Sequence, residues 1–140
     1  MKKLSFAALL LLAALLAACS QQTPSRAERS KPRVSVTSEN VQLRRVPAPN
    51  ADITPEGKLR IDDIEIPLDD TKRAQLQQLF GHLQMLRQAA LADAPADPDM
   101  QPITVQSNPQ VDALRDAAMA DIPPLQPYRE SFTKLQAERR

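Results

Sequence analysis

Five acidic residues fall within nine positions: Asp62, Asp63, Glu65, Asp69 and Asp70. Oxygen ligands at alternating positions around a glycine turn are what a calcium loop needs. Converging carboxylates could equally serve a hydrolase. The residues between them argue for a plainer role. Ile64, Ile66 and Leu68 alternate with Glu65 and Pro67, which is the period of a half-buried strand. Turn formation, a solvated strand face and helix capping account for all five acids. His82 is the single histidine and falls beside the Leu79/Leu86 edge of a helical stripe. An exposed or boundary histidine fits there, because the sequence places no partner near it for acid–base or metal work. Ser5, Ser20, Ser25, Ser30, Ser35, Ser38, Ser107 and Ser131 sit in no nucleophile elbow. Two glycines in the whole chain cannot build a phosphate cradle. Asp93, Asp97 and Asp99 lie among prolines and read as loop solubilisers. Cys19, the single cysteine, can form no internal disulfide, and one Cys with one His makes no zinc cluster. No catalytic, metal or cofactor site is expected.

The elements that carry these residues are clearest between Ala51 and Leu91. Ile53-Thr54-Pro55-Glu56-Gly57-Lys58 reads as a strand end and a tight turn, with Pro55 presetting φ and Gly57 free to take φ > 0. The spacing predicts strands at 58–61 and 64–68, joined at Asp62-Asp63, with Pro67 marking an edge or an end. Asp69 or Asp70 caps the helix that follows. Leu76, Leu79, Leu83, Leu86 and Ala90 recur at helical spacing and Phe80 widens the stripe, so one helix runs over about 70–91. Arg87 falls on that apolar face, where it snorkels or pairs with an acid of the C-terminal segment. Met85 lies opposite the stripe and could mark a second contact surface.

Outside that stretch the patterns are weaker. Val34-Ser35-Val36 and Val41-Gln42-Leu43 alternate around Ser38-Glu39-Asn40 as two further strands, before Pro47-Ala48-Pro49-Asn50 breaks the pattern. Residues 93–109 read as a proline-rich loop in which Ile103-Thr104-Val105 is a brief extended piece. Asn108-Pro109 starts a helix with an apolar face of Val111, Leu114 and Ala118. Ile122-Pro123-Pro124 stops it. A last helix is expected from Pro127, with Tyr128, Phe132 and Leu135 facing inward and 137–140 fraying. The expected fold is α+β: a short antiparallel meander on a long amphipathic helix plus two shorter C-terminal helices, in one small domain over 34–140.

The 140 residues begin with Lys2 and Lys3, an apolar run from Phe6 to Leu16, and two small residues before Cys19. Residues 1–18 therefore read as a secretion signal, too short to span a bilayer comfortably. Leu16-Ala17-Ala18-Cys19 resembles the lipobox of bacterial lipoproteins. That resemblance implies cleavage before Cys19 and lipidation of its thiol and new amine. Ser20 in that class favours transfer to the outer membrane, with the protein on its periplasmic face. Residues 19–33 read as a lipidated, disordered tether, basic at Arg26, Arg29, Lys31 and Arg33. This bias suits anionic head groups or cell-wall polymer; a solvated spacer is the simpler reading. Without Lys2 and Lys3 the chain holds 16 basic and 17 acidic side chains, so no whole-chain field draws nucleic acid.

From Val36 to about Leu79 the chain resembles the YggN-like family of secreted bacterial proteins. Val41-Gln42-Leu43, Ile53-Thr54-Pro55-Glu56-Gly57, Ile61, Leu68 and Thr71-Lys72-Arg73-Ala74-Gln75 carry the likeness. It implies an exported protein with short strands before helices and supplies no reaction. Relatives usually carry a Gly where this chain has Asp62-Asp63.

These readings converge on a non-enzymatic outer-membrane lipoprotein that touches an envelope partner and is held to the membrane through Cys19. An apolar-ligand module with a pocket of Leu79, Phe80, Leu83 and Phe132 is one alternative. An envelope hydrolase using the acidic cluster is the other.

Overall fold

The computed structural model describes residues 25–140. The described residues form an α+β fold, a mixed sheet of seven strands with the two long helices on one face. A one-turn helix α1 (Arg26–Arg29) precedes strands β1 (Arg33–Val36), β2 (Val41–Arg44), β3 (Ala51–Ile53), β4 (Leu59–Ile61) and β5 (Ile64–Ile66). Helix α2 (Asp70–Asp93), strand β6 (Ile103–Val105), helix α3 (Pro109–Asp121), a 3₁₀ segment (Pro123–Thr133) and strand β7 (Leu135–Ala137) follow. The spatial order is β5-β4-β3-β2-β1-β7-β6. Every neighbouring pair is antiparallel except β1 and β7, which run parallel.

Register turns the alternation of each strand into rows across the sheet. Ile66, Leu59, Ile53, Val41, Val36, Ala137 and Ile103 form one apolar row, and Ile64, Ile61, Ala51, Leu43, Val34, Leu135 and Val105 the next. Leu76, Leu79 and Leu83 of α2, Val111, Ala118 and Met119 of α3, and Leu125, Tyr128 and Phe132 of the 3₁₀ segment bury this face. Each fully buried Leu or Ile stabilises the fold by roughly 1.5–3 kcal/mol. The cover thins towards β5: Ile66 is half-buried, and Ile64 stays 67% exposed despite lying in the apolar row.

The local signals act as their chemistry dictates. The Asp69 carboxylate accepts from the Lys72 N–H at 2.9 Å and caps α2. The Asn108 side chain accepts from the Val111 N–H at 2.8 Å and caps α3, with Pro109 at its first position. Gly57 has φ +74°, and a Cβ there would collide with the Arg73 carbonyl oxygen. The turn before β4 thus meets the start of α2 backbone to backbone.

Three expectations are corrected. The first is the extent of the sheet: the expected antiparallel meander is there as β1 to β5, and β7 and β6 extend it to a seven-stranded mixed sheet, with Ile103–Val105 of the expected loop as its edge strand. The second is the last helix. Pro123, Pro124 and Pro127 supply no N–H, so a 3₁₀ segment forms there, and Leu135–Ala137 extends as a strand between β1 and β6. The Lys134 carbonyl accepts from the Val34 N–H and the Val36 carbonyl from the Glu138 N–H, both at 2.9 Å, so the segment does not fray. The third is the tether over 19–33, within which Arg26–Arg29 is helical and Arg33 already belongs to β1.

Candidate functional site

The five acids separate. Asp62 and Asp63 occupy the β4–β5 turn with φ of 51° and 63°, both left-handed. Glu65 pairs with Lys58 at 3.2 Å. Asp69 is spent on the α2 cap, where the Lys72 N–H and ammonium hold its carboxyl below the usual range. Asp70 pairs with Arg73 at 2.8 Å. Among the described residues no group of three or more His, Cys, Asp or Glu side chains is gathered that could hold a metal ion. The Asp97 carboxylate accepts from the Asp99 and Gln101 N–H groups and shapes the loop before β6. Cys19 lies outside the described residues.

His82 is half-buried on α2, with Nε2 3.3 Å from the Gln110 amide nitrogen of α3. An amide N–H donating there needs that ring nitrogen unprotonated. Arg87 does reach the C-terminal segment, through backbone and not through an acid. Its guanidinium donates to the Glu138 carbonyl at 2.8 Å and the Arg140 carbonyl at 3.0 Å, which ties α2 to the segment after β7. Met85 is 55% exposed on the outer side of α2. Leu79, Leu83 and Phe132 are buried in the core and Phe80 packs partly against it. The apolar crevice beside them, bordered by Leu83, Leu86, Val105 and Leu135, has no room for a water molecule, which counts against an apolar ligand.

What sequence reading passed over is the other face of the sheet. Residues that alternate with the apolar rows point away from the helices. In the middle row, Gln136, Ser35, Gln42, Asp52, Arg60 and Glu65 lie side by side. Asp52 and Arg60 are registered opposite each other and joined at 3.0 Å, and this bond holds the Arg60 proton more tightly than usual. A shallow polar dish of about 210 Å³ lies here, lined by Asn40, Gln42, Arg44, Asn50, Asp52 and Arg60. A second, of about 290 Å³, lies where α1 meets the sheet, between Arg29, Arg33, Gln101, Lys134, Gln136 and Glu138. The alternation around Val34, Leu43 and Leu59 signals which residues face this way. Which of them become neighbours depends on pairings between distant strands.

The fold and this surface define an α+β module with one face filled by helices and one polar face open. Comparison with family models, with curated proteins and with solved structures finds no match for the chain.

Proposed function

We propose that this chain is a lipoprotein anchored at Cys19 to the periplasmic face of an outer membrane, where it works as a non-enzymatic interaction module of the envelope. The observation that carries the reading is Leu16-Ala17-Ala18-Cys19 directly after a charged start and an apolar run. Ser20 supports the outer membrane as destination. The separation of Asp62, Asp63 and Glu65 onto a turn and a Lys58 pair supports an interaction role over a hydrolase built on this cluster. More than one acyl chain makes attachment lasting, since each buried CH₂ contributes about 0.8 kcal/mol.

The test is mass spectrometry of the N-terminus of the membrane-extracted protein, with globomycin treatment and Cys19→Ala beside it. A lipid-modified Cys19 and accumulation of the unprocessed form under globomycin are expected. An unmodified N-terminus on freely soluble protein overturns the anchor. In-cell crosslinking then asks for the partner, and turnover of an envelope substrate by the purified protein overturns the non-enzymatic part.

A further inference from the structure

The two polar rows nearest the start of β1 differ in charge logic. In the middle row, opposite charges meet: Asp52 faces Arg60, and Arg60 faces Glu65. In the neighbouring row, Arg33 faces Arg44 directly across β1 and β2. Lys134 flanks Arg33 on the other side, because Val34 is registered with Leu135. Three cations thus stand on three adjacent strands, and among the described residues none of the three forms an ion pair. Like charges directly opposite in a sheet are destabilising. Burial, then the nearby Arg44 charge, pushes the Arg33 guanidinium pKa down, and the Glu138 carboxylate nearby offsets only part of this.

The row lies at the end of β1 where the chain enters from α1, which adds Arg26 and Arg29. Glu28 is the acid of that helix, and Lys31 already pairs with it. Residues 1–24, which precede the described residues in sequence, lead directly into α1 and include Cys19. We infer that the Arg33–Arg44–Lys134 row, with Arg26 and Arg29, seats the polar sheet face on the anionic phospholipid surface of the membrane that holds the anchor. The inference rests on the anchored reading above. It fixes an orientation: sheet towards the bilayer, α2 and α3 towards the periplasm. A lipid anchor confines this corner near the bilayer, and charge attraction acts within the roughly 8–10 Å over which salt leaves it unscreened.

The acylated thiol of Cys19 leaves an introduced cysteine as the unique labelling site. Two full-length variants place a fluorophore on the two sides, Thr104→Cys at the polar face and Ala113→Cys on α3. Each is reconstituted in phosphatidylglycerol–phosphatidylcholine vesicles or in pure phosphatidylcholine, with a quencher at the lipid headgroups. Strong quenching at 104 and weak quenching at 113 is expected in the anionic vesicles alone. About 1 M salt, where the screening length is roughly 3 Å, should abolish the difference. R33Q/R44Q/K134Q should weaken the seating about fivefold per charge removed, roughly a hundredfold in all. Equal quenching at both sites, or a difference indifferent to salt and to lipid charge, overturns the inference whether or not the triple variant folds. Retention on the cell-wall polymer in place of vesicles also overturns it. A native N-terminus found without acyl groups, on protein that still floats with anionic vesicles at low salt, defeats the anchor and leaves the charged seat standing.

Discussion

The two glycines of this chain have opposite relations to their surroundings. Gly57 combines a left-handed φ with an approach to the Arg73 carbonyl that leaves no space for a Cβ, while nothing lies within 4 Å of a Cβ built at Gly81. Gly57→Ala should therefore destabilise the protein by at least about 1–2 kcal/mol from backbone strain alone, with the clash added. Gly81→Ala should stabilise it by up to about 1 kcal/mol, since α2 then gains a better helix former. Urea unfolding followed by circular dichroism checks both, and equal shifts would contradict the contact between the turn and α2. Tyr128 makes a second prediction at this scale. Its hydroxyl donates to the Pro49 carbonyl at 2.6 Å, and burial pushes the phenol pKa up. The neutral form is thus favoured in the folded state. Its contribution is complete below the ordinary phenol pKa of about 10 and is lost as pH rises through the higher folded value. Tyr128→Phe should cost about 1–2 kcal/mol at neutral pH. It should also flatten the loss of stability above pH of about 10, read as the difference in urea midpoint between the two proteins.

Elements with local signals are legible in the sequence, and elements defined by distant partners are not. The strands at 59–61 and 64–66 and the long helix follow from alternation, a turn and a cap within a few residues of one another. The short strand at 135–137 has no such signal. Tyr128, Phe132 and Leu135 recur at helical spacing, and all three are buried, so the inward-facing residues are correctly read while the backbone is not. Parallel pairing with β1, about a hundred positions earlier, wins because it satisfies both flanks of the strand and buries Leu135 and Ala137. The acidic cluster was legible as turn, strand and cap, for the same reason of locality. The cationic row was not, because Arg33, Arg44 and Lys134 meet only through register. A prediction at this scale separates strand from frayed end. Gln136→Pro should abolish cooperative unfolding at neutral pH, since β7 is paired on both sides and proline removes a ladder donor. The same substitution in a frayed terminus would leave the urea midpoint unchanged.

Across the whole molecule the formal charge is only +1, yet its distribution is uneven. Acids and bases alternate along the β3–β4–β5 side of the polar face, while the β7–β1–β2 side gathers cations where the N-terminal segment enters. A sheet selected for stability alone would place a carboxylate opposite Arg33, as it does opposite Arg60. Arg44→Glu builds that missing pair. It should raise stability by about 0.5–1 kcal/mol, because a directly opposed repulsive pair becomes an attractive one. The gain should shrink as salt rises, since the pair is partly open to solvent. The same change reverses one charge of the row and should weaken seating on anionic vesicles more than neutralisation to Gln does. Stability and membrane contact would then move in opposite directions in one variant. Urea midpoints at low and high salt, set beside vesicle quenching of the Thr104 label, measure both. If Arg44→Glu lowered stability, Arg33 and Arg44 would not be in repulsive contact, and the cost attributed to keeping cations at this corner would disappear.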